Sequence, residues 1–445
     1  MKKHDDKCEC IFCKCNIPFD FPEHLYRELV NNNVVLFAGS GISTENKLVF
    51  PYTFYDDVKM DLEECDISIN DNMKFNLLMD MYVEKFDKVS LINKVIERFD
   101  YINSYSELNN RATMFHSELA SISIINKIIT TNWDDYFEIC CNAKPIVENI
   151  DLRVWAMKRR TVLKIHGSIN SLNTMVLTTK DYDECYNKLQ SDAIGIRLQE
   201  ILCSKCLLFV GYSLNDYDFN RIYSYIKEIM NINMPKVYII DLYAERSPIN
   251  NAIVINTDGS YFLQELKKKL IDDKLMLNVD KIISMINMYR LKAIEIHHKT
   301  CDLLKKSKYY YIAYTCSYQD GLIHSMERFM NCYKDGSYSD ERSISSVLLY
   351  YKKLRNEKKS IKKYDDVAYI DGYVNGIKSF LSSESFGKEM TPFYIYDLDD
   401  NIGDYESYVA KLFNMPYNNE LYEYANKYML NYDDDIDVHH TPFLL

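Results

Sequence analysis

Six short apolar runs, each closed by a polar or glycine cluster and parted from the next by a stretch of helical spacing, limit what this chain can fold into. They are Val34–Phe37, Lys127–Thr131, Thr161–Ile165, Cys206–Val210, Lys236–Ile240 and Ala252–Ile255. Runs this short and this rich in branched residues read as strands buried on both faces. Between them, residues 70–100, Ser117–Ser123, Trp133–Cys141, 180–202, Asp216–Met230 and Ser260–Leu270 carry the apolar spacing of helices. Strands alternating with helices define βαβ units, and six of them predict a doubly wound, Rossmann-like parallel sheet.

Punctuation narrows the choice further. The 445 residues include only 12 Gly and 9 Pro, well under half the usual combined share of about 12%. That excludes collagen-like and low-complexity chains, and an all-β fold with many tight turns. Yet Gly39, Gly41, Gly167 and Gly211 all fall just after predicted strands. Doubly wound sheets bind ligands outside the carboxyl ends of their strands. The segments at those ends are Gly39–Thr44, Asn132–Asp135, His166–Ser168, Gly211–Asp216, Asp241 and Asn256–Asp258.

The first segment reads as a phosphate cradle, its amides and a following helix N-terminus, capped by Ser43 or Thr44, facing an anion. A tight turn with no ligand is the alternative. Thr44 stands where a dehydrogenase fingerprint has its third glycine, which argues against an ordinary NAD dehydrogenase. His166 at a strand end is either a structural histidine or a general base working near neutral pH. Asn132 is either the cap of a helix starting at Trp133 or a carboxamide that holds a ribose hydroxyl or a water.

Taken in order, Ala38–Ser43, Thr131–Asp134, His166-Gly167 and Gly211–Ser213 resemble the motifs of sirtuin-type (silent-information-regulator-type) NAD-binding domains over roughly residues 20–270. The runs Phe37–Glu45, Lys164–Ile169, Val176–Tyr182 and Val210–Leu214 further resemble the sirtuin-like NADases of bacterial antiphage defence. The resemblance implies that NAD+ is the substrate. It implies that Asn132 orients the nicotinamide ribose and a water, and that His166 acts as base. It also implies that Gly39, Ser40 and Gly41 hold the diphosphate with Ala38 and Ser43 beside them. Asp134 then shapes the nicotinamide pocket, while Gly211, Ser213 and Asp241 meet the adenosine end. On a chain of net charge −12, backbone amides and helix ends are expected to hold the anionic cofactor.

One departure separates activities within that resemblance. Protein deacylases of this kind carry two CxxC pairs after the His-Gly motif. Here the next such spacing, Cys203–Cys206, runs straight into a predicted strand. The implied function is therefore an NAD+ glycohydrolase that depletes the cofactor as an abortive-infection effector. Its cleavage of an N-glycosidic bond passes through an oxocarbenium-like state. The alternatives are a noncatalytic NAD or ADP-ribose sensor gating a partner, and an NAD-dependent protein deacylase.

The rest of the chain suggests a division into a cysteine-rich tail at 1–16, the NAD-binding catalytic domain at 17–272 and a mainly helical assembly domain at 273–445. Residues 271–306, 318–332, 341–363 and 366–382 read as helical, with one strand-like run at Pro392–Tyr396. Gly372 and Gly376 fall inside a helical pattern and follow no strand, so they mark no nucleotide loop. Gly387-Lys388 is followed by Glu389, so no P-loop is present. The resemblance implies a homo-oligomer that assembles with a separate HerA-type ring ATPase.

The acidic balance argues against direct binding to nucleic acid or to anionic lipid. The basic run Lys352–Lys363 is read as a solvated helix face. No apolar run approaches the roughly 18 residues of a membrane span. The 13 cysteines are read as reduced thiols of a cytoplasmic protein. Cys10 and Cys13 have the spacing of half a zinc site among Cys8, Cys10, Cys13 and Cys15, and no metal cofactor is expected.

Overall fold

A computed structural model describes residues 15–70, 73–156, 159–211, 235–242, 252–307, 312–336, 341–381 and 439–443, with a few isolated positions besides. The chain divides into two units, Met1–Asp272 and Asp273–Leu445. The first is built on seven parallel strands: β1 (Val34–Ala38), β2 (Lys127–Thr130), β3 (Lys144–Ile146), β4 (Thr161–Lys164), β5 (Cys206–Val210), β6 (Val237–Ile240) and β7 (Ile253–Ile255). Their order is β3-β4-β2-β1-β5-β6-β7. Apart from the edge strand β3, this is the doubly wound order, with its switch point between β1 and β5.

All six predicted strands are present. β3 escapes the sequence reading because it is three residues long and contains Pro145, which has no amide to donate and so suits only an edge. Every residue of β1, β4, β5 and β6 is buried, as a sheet covered on both faces requires.

The described helices of this unit are α1 (Glu23–Val30), α2 (Phe54–Glu64), α3 (Phe75–Lys85), α4 (Lys88–Ser104), α5 (Ser106–Ala112), α6 (Met114–Ala120), α7 (Tyr136–Cys141), α8 (Thr179–Ser191), α9 (Ala193–Ser204) and α10 (Gly259–Asp272). Val35, Phe37, Ile129, Leu163, Leu207, Phe209 and Ile239 pack against Leu189, Leu198 and Leu202 of α8 and α9. A second cluster, with Val58, Leu62, Leu78, Met79, Leu91, Val95 and Ile102, joins α2, α3 and α4.

Two helix starts differ from expectation. β1 leads into a single 3-10 turn, Ser40–Ile42, and the next α-helix begins at Phe54 behind a Thr53–Asp56 capping box. Ser43 and Thr44 therefore cap no α-helix. Likewise α7 starts at Tyr136 rather than Trp133. The segment 70–100 splits into α3 and α4 where Asp87 caps the amide of Ser90, and 180–202 splits at Asp192. The expected helix Asp216–Met230 lies almost wholly outside the described residues.

Buried polar groups close this unit. The Arg160 guanidinium is 2% exposed and donates to the carbonyls of Leu119, Ala120, Ile122, Ile125 and Cys141. It thereby satisfies carbonyls left over at the ends of α6 and α7. Nearby, His116 lies fully buried against Phe137, and burial pushes its pKa down to about 4. Because the folded value lies below the unfolded one, the unfolded chain takes the proton first. Its stability contribution is complete above about pH 6.5 and is lost as pH falls toward 4. Between pH 7 and pH 5 this group should cost roughly 2 kcal/mol of stability. Urea midpoints across that range should show the loss in the native chain and a smaller one in His116→Phe.

The second unit is helical where described: α11 (Val279–Ser307), α12 (Ile312–Cys332), α13 (Glu341–Ser360) and α14 (Tyr364–Leu381). The predicted strand Pro392–Tyr396 lies outside the described residues. Gly372 and Gly376 lie inside a helix, as their spacing implied, and the structure adds what they are for. A Cβ on Gly321 would sit 1.9 Å from the Tyr369 carbonyl oxygen, and one on Gly372 1.9 Å from that of Tyr318. Gly376 in turn abuts Ser325. Gly372 and Gly376 are thus contact positions where α12 and α14 cross, chosen for the absence of a side chain. In the basic run, Lys352, Lys353, Lys359, Lys362 and Lys363 are exposed, while Arg355 pairs with Asp371 and Lys358 with Asp366. Among the described residues, no helix is long and apolar enough to cross a membrane.

Candidate functional site

At the switch point the two strand ends are tied together. The Gly39 amide donates to the Val210 carbonyl (3.1 Å) and the Gly41 amide to that of Gly211 (3.0 Å). Gly211 has φ +56°, and a Cβ there would lie 2.6 Å from the Ile42 amide nitrogen. The amides of Ile42 and Ser43 turn back onto the carbonyls of Gly39 and Ser40. Four amides of the expected phosphate cradle are therefore committed within the protein, and the described chain after β1 enters no α-helix before Phe54. The glycines here serve close approach of two backbones.

That turn carries Ser43 to full burial. Its hydroxyl donates to Asp134 Oδ2 (2.9 Å) and accepts from Asn132 Nδ2 (3.3 Å). A hydroxyl has one proton to give. With that proton on Asp134, the Asn132 amide must present its NH2 to Ser43 and turn Oδ1 away. Asn132 Oδ1 is buried and makes no hydrogen bond to any described residue. The backbone is fixed as well, since Thr130 Oγ1 donates to the Ala38 carbonyl (2.7 Å) and accepts from the Asn132 amide (3.0 Å).

Beneath the same loop, Lys164 Nζ donates to the carbonyls of Asp134 and Trp133 and pairs with Glu138 Oε1 at 3.0 Å. Burial raises the Glu138 pKa, and Lys164 opposes that shift. His166 follows β4 and is 4% exposed. Its carbonyl accepts from the Val176 amide (3.1 Å), and its ring meets Tyr182 edge-on.

Ser40, Asn132, Asp134 and His166 line one cavity of about 860 Å³, a volume suited to a nucleotide-sized ligand. Of the other expected site residues, Ser43 lies under this cavity as the link between Asn132 and Asp134. Ala38, Gly39, Gly41 and Gly211 form the tied strand ends and are not among its lining residues. Asp241, at the end of β6, is exposed and does not line it. Ser213 lies outside the described residues.

Sequence reasoning missed the cavity's buried ion pair. Arg98 on α4 stands 3.3 Å from Glu45 and donates to the Tyr52 carbonyl (3.0 Å), with the Phe50 ring 4.4 Å away. Burial raises the Glu45 pKa, opposed by Arg98, while Glu45 Oε2 accepts from the Phe54 amide (2.8 Å). A signal was available. Leu91, Val95, Arg98 and Ile102 occupy one buried stripe of α4, so Arg98 takes a place where helical spacing calls for an apolar residue. Trp133 adds an aromatic wall with Phe54 and Phe75, and its indole Nε1 is buried without a hydrogen bond to any described residue.

A parallel sheet of this order brings an Asn and a His together from adjacent strand ends, on the edge where doubly wound sheets hold their ligands. Residues 126–264 match the model of the SIR2-like domain, a segment that runs from the start of β2 into α10. Over 250 residues the chain is 25% identical to the NAD(+) hydrolase ThsA of Cytobacillus dafuensis, covering 55% of this chain and 48% of that one. It is 26% identical over 249 residues to the NAD(+) hydrolase ThsA of Acinetobacter baumannii, covering 54% and 48%. Against defense-associated sirtuin 2 of Bacillus subtilis it is 23% identical over 242 residues, covering 51% and 22%. The SIR2-like match thus falls within the α/β unit, and the chain spans about half the length of these two ThsA relatives.

Proposed function

We propose that the α/β unit hydrolyses NAD+ to nicotinamide and ADP-ribose, and that the chain serves antiphage defence by depleting this cofactor. The observation that carries the reading is the buried Asn132 Oδ1, which has no hydrogen-bond partner among the described residues and belongs to a residue lining the same cavity as His166. The names of the relatives support the same substrate.

In this reading Asn132 Oδ1 accepts from a ribose hydroxyl or from the attacking water. As the bond from ribose to nicotinamide breaks, positive charge grows on the sugar, and fixed acceptors around it lower the barrier. The nicotinamide leaves neutral, water adds to the anomeric carbon, and His166 takes the proton released. Asp134 acts through Ser43 by fixing which way the Asn132 amide faces. Since the loop amides are committed, Arg98 supplies the charge opposite the diphosphate. The helical unit 273–445 serves assembly into a homo-oligomer and the docking of a HerA-type ring ATPase, and the site of action is the cytoplasm.

The pure chain, alone and with its ATPase, should convert NAD+ into equal amounts of nicotinamide and ADP-ribose by chromatography. Arg98→Gln should raise KM about tenfold with little change in kcat, as expected for a lost charged contact. Tight NAD+ binding without product in either state would instead establish a sensor.

A further inference from the structure

The second unit buries a cluster of soft donor atoms that hydrolysis of NAD+ does not use. His297 and Cys301 stand four residues apart on α11, and Cys316 and Asp320 repeat that spacing on α12. Each pair therefore shares one helical face. The faces meet with Cys301 Sγ 3.8 Å from Cys316 Sγ and His297 Nε2 3.2 Å from Asp320 Oδ1. Cys301 Sγ lies 3.5 Å from His297 Nε2. On the other side of that nitrogen, His439 Nδ1 stands at 2.9 Å and also lies 3.4 Å from Asp320 Oδ1. His297, Cys316 and Asp320 are buried, and both cysteines are free thiols.

The spacing of these atoms is informative. Zinc–sulfur bonds of about 2.3 Å and zinc–nitrogen bonds of about 2.0–2.1 Å at tetrahedral angles set ligand atoms apart by about 3.8 Å for S–S and about 3.6 Å for S–N. The separations found are 3.8 and 3.5 Å. The tautomer agrees: His297 Nδ1 lies 3.1 Å from Gln319 Oε1, an acceptor, so Nδ1 carries the proton and Nε2 offers its lone pair. That lone pair faces a carboxylate and a sulfur, an arrangement that either a cation or a second ring proton must reconcile.

We propose that the α11–α12 hairpin holds one zinc-type divalent cation through His297 Nε2, Cys301 Sγ and Cys316 Sγ, three donor atoms within 4.8 Å of one another. Two thiolates and an imidazole select zinc over magnesium or calcium. The segment 439–443 is tied to the same hairpin, because the His440 amide donates to Asp320 Oδ2 (2.7 Å).

The test is metal analysis of the full chain purified under reducing conditions. About one zinc per chain is expected, and Co2+ in its place should give a thiolate charge-transfer band with the visible spectrum of a tetrahedral ion. Cys301→Ser and Cys316→Ser should lose both signals, while Cys10→Ser with Cys13→Ser, at the CxxC of residues 10–13, should keep them. Gln319→Ala leaves every ligand in place and should weaken zinc affinity about 10- to 100-fold. The proposal is overturned if the reduced native chain gives no thiolate band with Co2+. It is equally overturned if zinc content follows Cys10 and Cys13, or if Gln319→Ala binds zinc as tightly as the native chain. None of these readouts involves NAD+.

Discussion

Asn132→Ala is expected to cut NAD+ turnover by about a hundredfold to a thousandfold, and His166→Ala by about a hundredfold to ten-thousandfold, with neither change unfolding the α/β unit. Asn132 Oδ1 is a buried acceptor with no partner among the described residues, so of these Ser43 Oγ alone loses a side-chain bond when the amide is removed. The cost to stability is then about one hydrogen bond, on the order of 1 kcal/mol, while the cost to catalysis is a contact that strengthens as charge develops. The two effects separate in experiment as a melting temperature lowered by only about 2–4 °C beside a collapsed kcat.

Two companion variants sharpen that result. Asn132→Asp keeps the shape but places a second carboxylate near Asp134 and removes the donor that Ser43 accepts. Ser43→Ala keeps both site residues but frees the amide to rotate, so its loss should be smaller than that of Asn132→Ala. If Asn132→Ala and His166→Ala both retain native kcat, the site assignment is wrong even if NAD+ is consumed.

Gly372→Val is expected to destabilise the helical unit by about 3–5 kcal/mol. Helix propensity predicts the opposite sign for the milder Gly372→Ala, which should stabilise an unhindered helix by about 1 kcal/mol. The crossing decides the matter. A Cβ 1.9 Å from the Tyr318 carbonyl oxygen must be relieved by parting α12 from α14, which strips contacts from Tyr318, Leu322, Tyr369 and Tyr373. Even Gly372→Ala should therefore lose stability, and pairing it with Gly321→Ala should cost less than the two single losses combined. Both tryptophans, Trp133 and Trp155, belong to the α/β unit. Far-UV circular dichroism should thus record an early transition while tryptophan fluorescence keeps its midpoint. A stabilised Gly372→Ala would show that the crossing yields.

What was legible in the sequence follows from how each feature is encoded. β1 and β5 are continuous apolar runs because both faces of a parallel strand are covered, and such runs announce themselves. β3 does not, since three residues around Pro145 carry no pattern. Asn132 and His166 were readable because they follow strands directly, where a doubly wound sheet puts its ligand. The link that orients Asn132 was not, because Ser43 and Asp134 lie 91 residues apart and nothing local records their meeting. Arg98 shows only as a charge on an apolar stripe. Gly372 was passed over because glycine was weighed as a turn residue, whereas its reason is another helix some fifty positions away.

The tie between the ends of β1 and β5 bears on how the chain is made. Val210, which pairs with Ala38, leaves the ribosome roughly ten to thirty seconds after it at ordinary rates of synthesis. Until then one flank of the central strand is open and the Gly41–Gly211 contact cannot form. A growing chain thus has its Asn and His in place before the turn that buries Ser43 can be locked. A chain that stops short of Gly211 therefore lacks the contact that fixes the turn beneath Asn132.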